Sequence, residues 1–198
     1  MKSTFFLFAL LFLSHSIVFA QDNTPQKASS RVSFGVKAGV NIANLEDNWE
    51  ANTGSLTDFH AGILAHIHLN RSLALQPEVV YSRQGAEYPN LGVEKINYVN
   101  IPIMLQVMLN KGLRVQTGPQ VGFATSAKLE RYSGGETDIN DQIENACFSW
   151  AVGLGYLSPI GLGVDARYNL GLINIVNDSQ HDVKNRVFQF GLFYQFNR

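Results

Sequence analysis

The sequence predicts an all-β protein: an eight-stranded antiparallel up-and-down transmembrane β-barrel with short periplasmic turns and longer extracellular loops. Three observations predict it. The chain opens with a secretory leader, eight stretches alternate strictly between apolar and polar residues without an amphipathic helix among them, and the connections alternate between tight and long.

The leader comes first. Lys2 precedes the apolar run 5–13 (FFLFALLFL), and the segment ends in Val18-Phe19-Ala20 with small residues where a signal peptidase reads. The apolar core is too short to span a bilayer, so residues 1–20 are expected to be a signal peptide cleaved after Ala20. Residues 21–31 (QDNTPQKASSR) are polar and without periodicity, and are expected to form a flexible N-terminal extension ahead of a barrel domain over 32–198. With Lys2 removed, 14 basic residues stand against 16 acidic ones, a balance that offers no footprint for nucleic acid. Cys147 is the single cysteine, so no intramolecular disulfide forms, and it reads as a small apolar wall residue.

Each strand then shows two faces. In 32–42, Phe34, Val36, Ala38 and Val40 oppose Ser33, Gly35, Lys37, Gly39 and Asn41. In 58–69, Phe59, Ala61, Ile63 and Ile67 oppose Asp58, His60, Gly62, His66 and His68. In 72–83, Leu75, Val79 and Tyr81 oppose Gln76, Glu78 and Ser82. The pattern repeats in 97–109 (Val99, Ile101, Ile103 against Asn100 and Gln106) and in 112–126 (Val115, Val121, Phe123 against Arg114, Gln116 and Gln120). In 146–157, Phe148, Trp150, Val152 and Tyr156 oppose Ser149, Gly153 and Gly155. In 160–171, Leu162, Val164 and Tyr168 oppose Asp165, Arg167 and Asn169. The last strand is FQFGLFYQF (188–196), whose Phe188, Phe190, Leu192, Tyr194 and Phe196 share one parity against Gln189, Gly191 and Gln195. Pro77, Pro102 and Pro119 interrupt strands and are expected at bulges or strand ends.

Three connections are tight (Asn70-Arg71-Ser72, Asn110-Lys111-Gly112, Ser158-Pro159) and four are long, about 43–57, 84–96, 127–145 and 172–185. Short–long alternation is the pattern of an outer-membrane barrel, and an even strand count places both termini on the turn side. A soluble barrel would carry charge on its polar face. Here that face is Gly, Gln, Asn and Ser, with only Lys37, Glu78, Arg114, Asp165 and Arg167 charged. Such residues suit a crowded lumen, where these five form a polar network. Aromatics collect at strand ends of the apolar face, with Phe34, Tyr156 and Phe196 on the turn side and Phe59, Tyr81, Phe123, Phe148 and Phe188 on the loop side. Two belts around an aliphatic band mean that the apolar face meets outer-membrane lipid.

Five stretches also resemble a known family: FGVKAGVNIANL, LALQPEVVYSRQGAE, NYVNIPIMLQ, TGPQVGF and GLGVDARYNLGL, in order over 32–198. Together they are similar to the PorT-like outer-membrane beta-barrel family. The resemblance implies a small eight-stranded barrel in the outer membrane of a diderm bacterium. The family's namesake serves a dedicated protein-secretion system, so the resemblance also admits a secretion-system partner. The last strand further resembles the signal read by the barrel-assembly machinery, with Gln189, Gly191, Tyr194 and Phe196 in its polar, glycine, hydrophobic and aromatic slots.

Chemistry is sparse. His60, His66 and His68 share one face, but no carboxylate or Cys nearby in sequence completes a metal set. No nucleophile or oxyanion motif accompanies the lumen carboxylates, and nucleotide-binding patterns are absent. The expectation is a non-enzymatic structural or surface-interaction protein of the bacterial outer membrane. It has no cofactor, no metal and no catalytic residue, and it acts through its loops. The same pattern of strands and loops would also accommodate a small outer-membrane enzyme or a ligand-binding barrel.

Overall fold

The computed structural model describes residues 32–47, 54–89, 91–173 and 183–196. The expected leader and N-terminal extension lie outside these residues. Nine strands form one sheet: β1 (Val32–Asp47), β2 (Gly54–His68), β3 (Leu73–Tyr88), β4 (Gly92–Met108), β5 (Leu113–Arg131), β6 (Glu136–Asp138), β7 (Ala146–Leu157), β8 (Leu162–Gly171) and β9 (Val183–Gln195). All neighbours are antiparallel. Because β1 pairs with both β2 and β9, and β4 pairs with β5, eight strands close into a barrel; β6 is a short flap on the upper part of β5. Closure leaves the spanning backbone no free edge, which is the condition for crossing hydrocarbon with strands.

Parity does what alternation requires. Ser33, Lys37, Asn41, Gln76, Glu78, Arg114, Gln116, Asp165, Arg167 and Gln189 are buried inside, while Phe34, Ile63, Leu154 and Leu192 are about 60 % exposed on the outside. A water-soluble protein does not offer such a continuous apolar exterior. Polar groups on that exterior are satisfied locally: the Trp150 indole N–H donates to Thr117 Oγ1 (2.9 Å), whose hydroxyl donates to the Ala151 carbonyl (3.1 Å). The loop-side aromatics Phe59, Tyr81, Phe123 and Phe188 and the turn-side Phe34, Tyr156 and Phe196 are all exposed outward, and Phe148 is half-buried.

The turns close as their residues dictate. Asn70 Oδ1 accepts from the Ser72 and Leu73 amides, both at 2.8 Å, folding the first one. The second carries Lys111 at φ 63°, a left-handed position that its compact turn imposes. The start of β1 and the end of β9 meet at this turn side, since the Phe196 amide donates to the Phe34 carbonyl.

The structure corrects three expectations. The segment 84–96 is not a loop: β3 and β4 pair through Arg83↔Asn97 to Tyr88↔Gly92, leaving only residues 89–91 as a connection. Its outward residues are polar because this hairpin stands above the hydrocarbon band, while Gln84, Ala86 and Ile96 stay buried on its inner face. Likewise, 127–145 contains the end of β5, the flap β6 and a 3₁₀ turn at Asn140–Gln142, and β9 begins at Val183. The prolines are neither at bulges nor at strand ends. The bulges fall between Ser55 and His60 and between Asn97 and Tyr98. At each proline the register runs straight through and rungs are simply skipped: β2–β3 pairing passes from Leu64↔Glu78 to Ile67↔Leu75 around Pro77. The β3–β4 pairing skips Pro102, and β4–β5 skips Pro119, each in the same way. A proline offers no N–H, so the pair facing it cannot close.

Candidate functional site

The candidate site is the lumen, filled at mid-height by four charges from three strands. Lys37 Nζ on β1 lies 3.1 Å from Asp165 Oδ2 on β8 and 3.4 Å from Glu78 Oε2 on β3. Arg167 Nη1 donates to Glu78 Oε2 (2.8 Å), and Nη2 donates to Glu78 Oε1 (2.5 Å) and Asp165 Oδ2 (3.1 Å). The side chains are at most 4 % exposed, so the group is buried, and its two cations balance its two carboxylates. Charges removed from water persist only when paired and hydrogen-bonded in this manner. Gln76 Nε2 adds a donor to Glu78 Oε1 at 2.7 Å.

Arg114 sits one layer toward the turn side. Its Nη1 donates to Gln106 Oε1 (3.1 Å), Gln106 donates to Gln116 Oε1 (3.0 Å), and Arg167 Nη2 donates to the same Gln116 oxygen (3.2 Å). Its guanidinium also lies over the Phe193 ring, 5.2 Å from the centroid. Of the five charged lumen residues, four are therefore in direct contact and Arg114 joins them through two amides.

Above the charges an amide layer begins. Asn41 Nδ2 donates to the Phe59 and Arg83 carbonyls (3.2 and 2.8 Å) and to Ser82 Oγ (2.9 Å). Gln189 Nε2 and His60 Nδ1 meet Asn41 Oδ1, each at 2.9 Å. Gln84 donates to Ser82 Oγ (2.8 Å) and accepts from Asn185. His66 is held separately, its Nδ1 3.2 Å from Gln76 Oε1, while His68 is exposed at the strand end with its ring edge-on to His66. The three histidines of β2 thus converge on no common point. Among the described residues no group of three His, Cys, Asp or Glu side chains is placed to hold a metal ion.

Two apolar clusters that alternation alone did not single out lie toward the two ends of the barrel. Leu64, Leu157 and Phe193 are packed together on the turn side. Ile96, Tyr98, Ala127, Ile139 and Ile143 pack on the loop side. Phe193 was detectable from its parity, which it shares with Gln189, Gly191 and Gln195. Ile139 and Ile143 lie in a polar connection and carried no signal. On β9, Gln189 and Gly191 face the lumen, whereas Tyr194 and Phe196 face outward.

Comparison with known proteins places this architecture. The chain matches the family described as "Outer membrane protein beta-barrel domain" over residues 19–177. No curated protein matches it in sequence. Among solved structures it is similar to Neisserial surface protein A, with 17 % identity, 83 % of this chain and 99 % of that one covered, and a TM-score of 0.59. It is also similar to Ail, the attachment invasion locus protein of Yersinia pestis, solved in complex with the heparin analogue sucrose octasulfate. There the identity is 14 %, the coverage 84 % and 99 %, and the TM-score 0.52. A closed eight-stranded barrel, an apolar exterior between two aromatic belts and a family match over most of the sequence lead to one conclusion: the chain is an integral protein of the bacterial outer membrane and belongs to the outer membrane protein beta-barrel domain family.

Proposed function

We propose that this barrel is a non-enzymatic surface-interaction protein whose lumen is sealed and whose working surface is its loop side. The observation that carries the reading is the seal. A neutral cluster of four charges spans the middle of the lumen, and the apolar cluster of Leu64, Leu157 and Phe193 lies at its turn-side end, so the interior is occupied by side chains. What stands clear is the extension built from β3, β4, the top of β5 and β6. It is tied by Lys95–Glu130 (2.6 Å), Lys128–Glu136 (2.8 Å) and the Tyr132 hydroxyl donating to Glu87 (2.5 Å).

Among the described residues, exposed carboxylates on this side (Glu87, Glu136, Asp138, Asp141, Glu144) outnumber the exposed cations Lys128, Arg131 and Arg186. That balance favours a partner presenting positive or neutral polar groups. It does not favour a sulfated polyanion of the kind seen with Ail. Within its family the chain is assigned to the PorT-like group on the five stretches from FGVKAGVNIANL to GLGVDARYNLGL. The Gln189, Gly191, Tyr194 and Phe196 pattern is assigned to recognition by the assembly machinery.

The test is conductance together with surface binding. Purified protein in planar bilayers is expected to show no sustained current, and intact cells displaying it are expected to bind a cationic or neutral partner surface through 83–97 and 128–144. A steady ohmic pore in the wild type overturns the sealed lumen.

A further inference from the structure

The two rims of the barrel differ in charge. Carboxylates prevail on the loop side, whereas the turn-side stretches 32–36, 66–76, 104–116, 154–164 and 193–196 contain no Asp or Glu. Two exposed cations stand there, Arg71 in the first turn and Lys111 in the second. These turns are neighbours, since the Met108 amide donates to the Ser72 carbonyl at 2.7 Å. Leu69 and Leu109, which enter them, are 57 % and 51 % exposed. Large apolar side chains beside cations that face no carboxylate suit the headgroup level of a bilayer.

Above these turns the outer wall carries an apolar groove of about 420 Å³. The short side chains of Ala65 on β2 and Pro77 on β3 make its floor, and Phe34, Ile63, Val79 and Ile101 stand around it. The floor lies on the interrupted seam, where no rung closes between Ala65 and Pro77. Its depth matches one leaflet. Pro77 follows Arg71 by six residues, which is about 20 Å along the strand and about 15 Å in depth at the usual tilt, half the hydrocarbon thickness. Leu73 and Leu75 of β3 face outward along the way.

We propose that this face of the barrel holds one anionic phospholipid of the turn-side leaflet. Its phosphate sits between Arg71 and Lys111, and one acyl chain runs up β3 into the groove over Ala65 and Pro77. The cations select the headgroup charge, and the groove holds the chain. A chain lying there also covers the seam that Pro77 leaves without a rung. This inference does not depend on the surface-interaction reading, because it concerns the opposite rim.

Native mass spectrometry tests the headgroup site, with the full chain released from micelles that hold equal amounts of phosphatidylglycerol and phosphatidylcholine. One phosphatidylglycerol is expected to be retained, with a preference of roughly fivefold for each cation. Arg71→Gln combined with Lys111→Gln is expected to abolish that preference, and both stand in exposed turns. Equal retention of the two lipids by the wild type, an unchanged preference in the double variant, or displacement of the lipid by inorganic phosphate overturns the site. For the chain, phosphatidylglycerol carrying a diazirine at its acyl terminus is photolysed with the wild-type protein in nanodiscs. Crosslinks are expected to concentrate on 63–65 and 77–79 and to disappear with Ala65→Phe, which fills the groove. Crosslinks spread evenly around the barrel, or undiminished by Ala65→Phe, overturn the groove. The wild-type crosslinks need no substitution, so they decide the groove even where Ala65→Phe fails to insert.

Discussion

The barrel has two flanks that solve the same problem differently. From β7 through β8 and β9 to β1, the ladders run without a gap, as in Ser149↔Gly171 to Leu157↔Gly163 and Leu162↔Tyr194 to Leu170↔Arg186. From β2 to β5, every seam skips rungs beside a proline: Pro77 toward β2, Pro102 toward β3 and Pro119 toward β4. In water a missing rung is filled by solvent, whereas in hydrocarbon it is not. The lumen ion pairs bridge this difference. Lys37 and Arg167 belong to the continuous flank, and both hold Glu78, which stands next to Pro77 on the interrupted one. Side chains inside the barrel thus tie down the wall whose backbone ladder is weaker.

The largest expected effect falls on the continuous flank, where β9 closes the barrel on β1. Replacing Tyr194 and Phe196 together with Ser removes two outward aromatics and two slots of the assembly pattern. Membrane-inserted protein is expected to disappear, as read by carbonate-resistant fractionation and by heat-modifiable migration in gels. Normal insertion of the double variant would show that the pattern has no role in assembly.

Next comes the tie between the flanks. Glu78→Ala leaves two buried cations to share Asp165, which is expected to cost about 3–5 kcal/mol, the usual penalty for breaking a buried pair. Asp165→Ala is expected to cost less, since Arg167 keeps both of its bonds to Glu78. Unfolding in urea from lipid vesicles measures both, and equal losses would contradict the bridging role of Glu78.

A smaller effect tests the interrupted ladder itself. Pro102→Ala restores one donor, a gain of about 0.5–1.5 kcal/mol. It also frees the unfolded chain, at a cost of about 0.4–1 kcal/mol. Net stability is therefore expected to change little, while hydrogen exchange at Glu78 and Val79 slows. In the wild type, amides beside Pro77, Pro102 and Pro119 are expected to exchange faster than those of the β8–β9 seam. Equal protection on the two flanks would refute the comparison.

The smallest effect lies on the flap. The Lys128 ammonium, donating to Glu136, holds that exposed carboxyl below the usual carboxylate range. A lowered value means that the contact stabilises above the ordinary carboxylate range and is lost as pH falls through it. The β6 amides are expected to gain exchange at acid pH, and Lys128→Ala is expected to abolish that pH dependence.

What the sequence determined by itself is the two-faced strand. Side-chain direction in a strand follows parity, so Lys37, Glu78, Arg114, Asp165 and Arg167 were assignable to one face, and Phe34 or Phe188 to the other, before any pairing was known. The count of eight strands and the sidedness of turns and loops followed from the same alternation and from short polar connections. Polarity, however, reports solvent and not conformation. Where strands leave the hydrocarbon band, as in 84–96, the outward face turns polar too and a hairpin reads as a loop. Only the tertiary structure decided which charges meet, because the partners of Glu78 come from β1 and β8, and closure alone brings those strands across the lumen from β3. It also decided that Phe193 and Leu64 cap the lumen against their apolar character, and that three prolines could sit mid-strand with the register intact. A missing donor removes one bond, while the bonds on either side of it hold the strands in place.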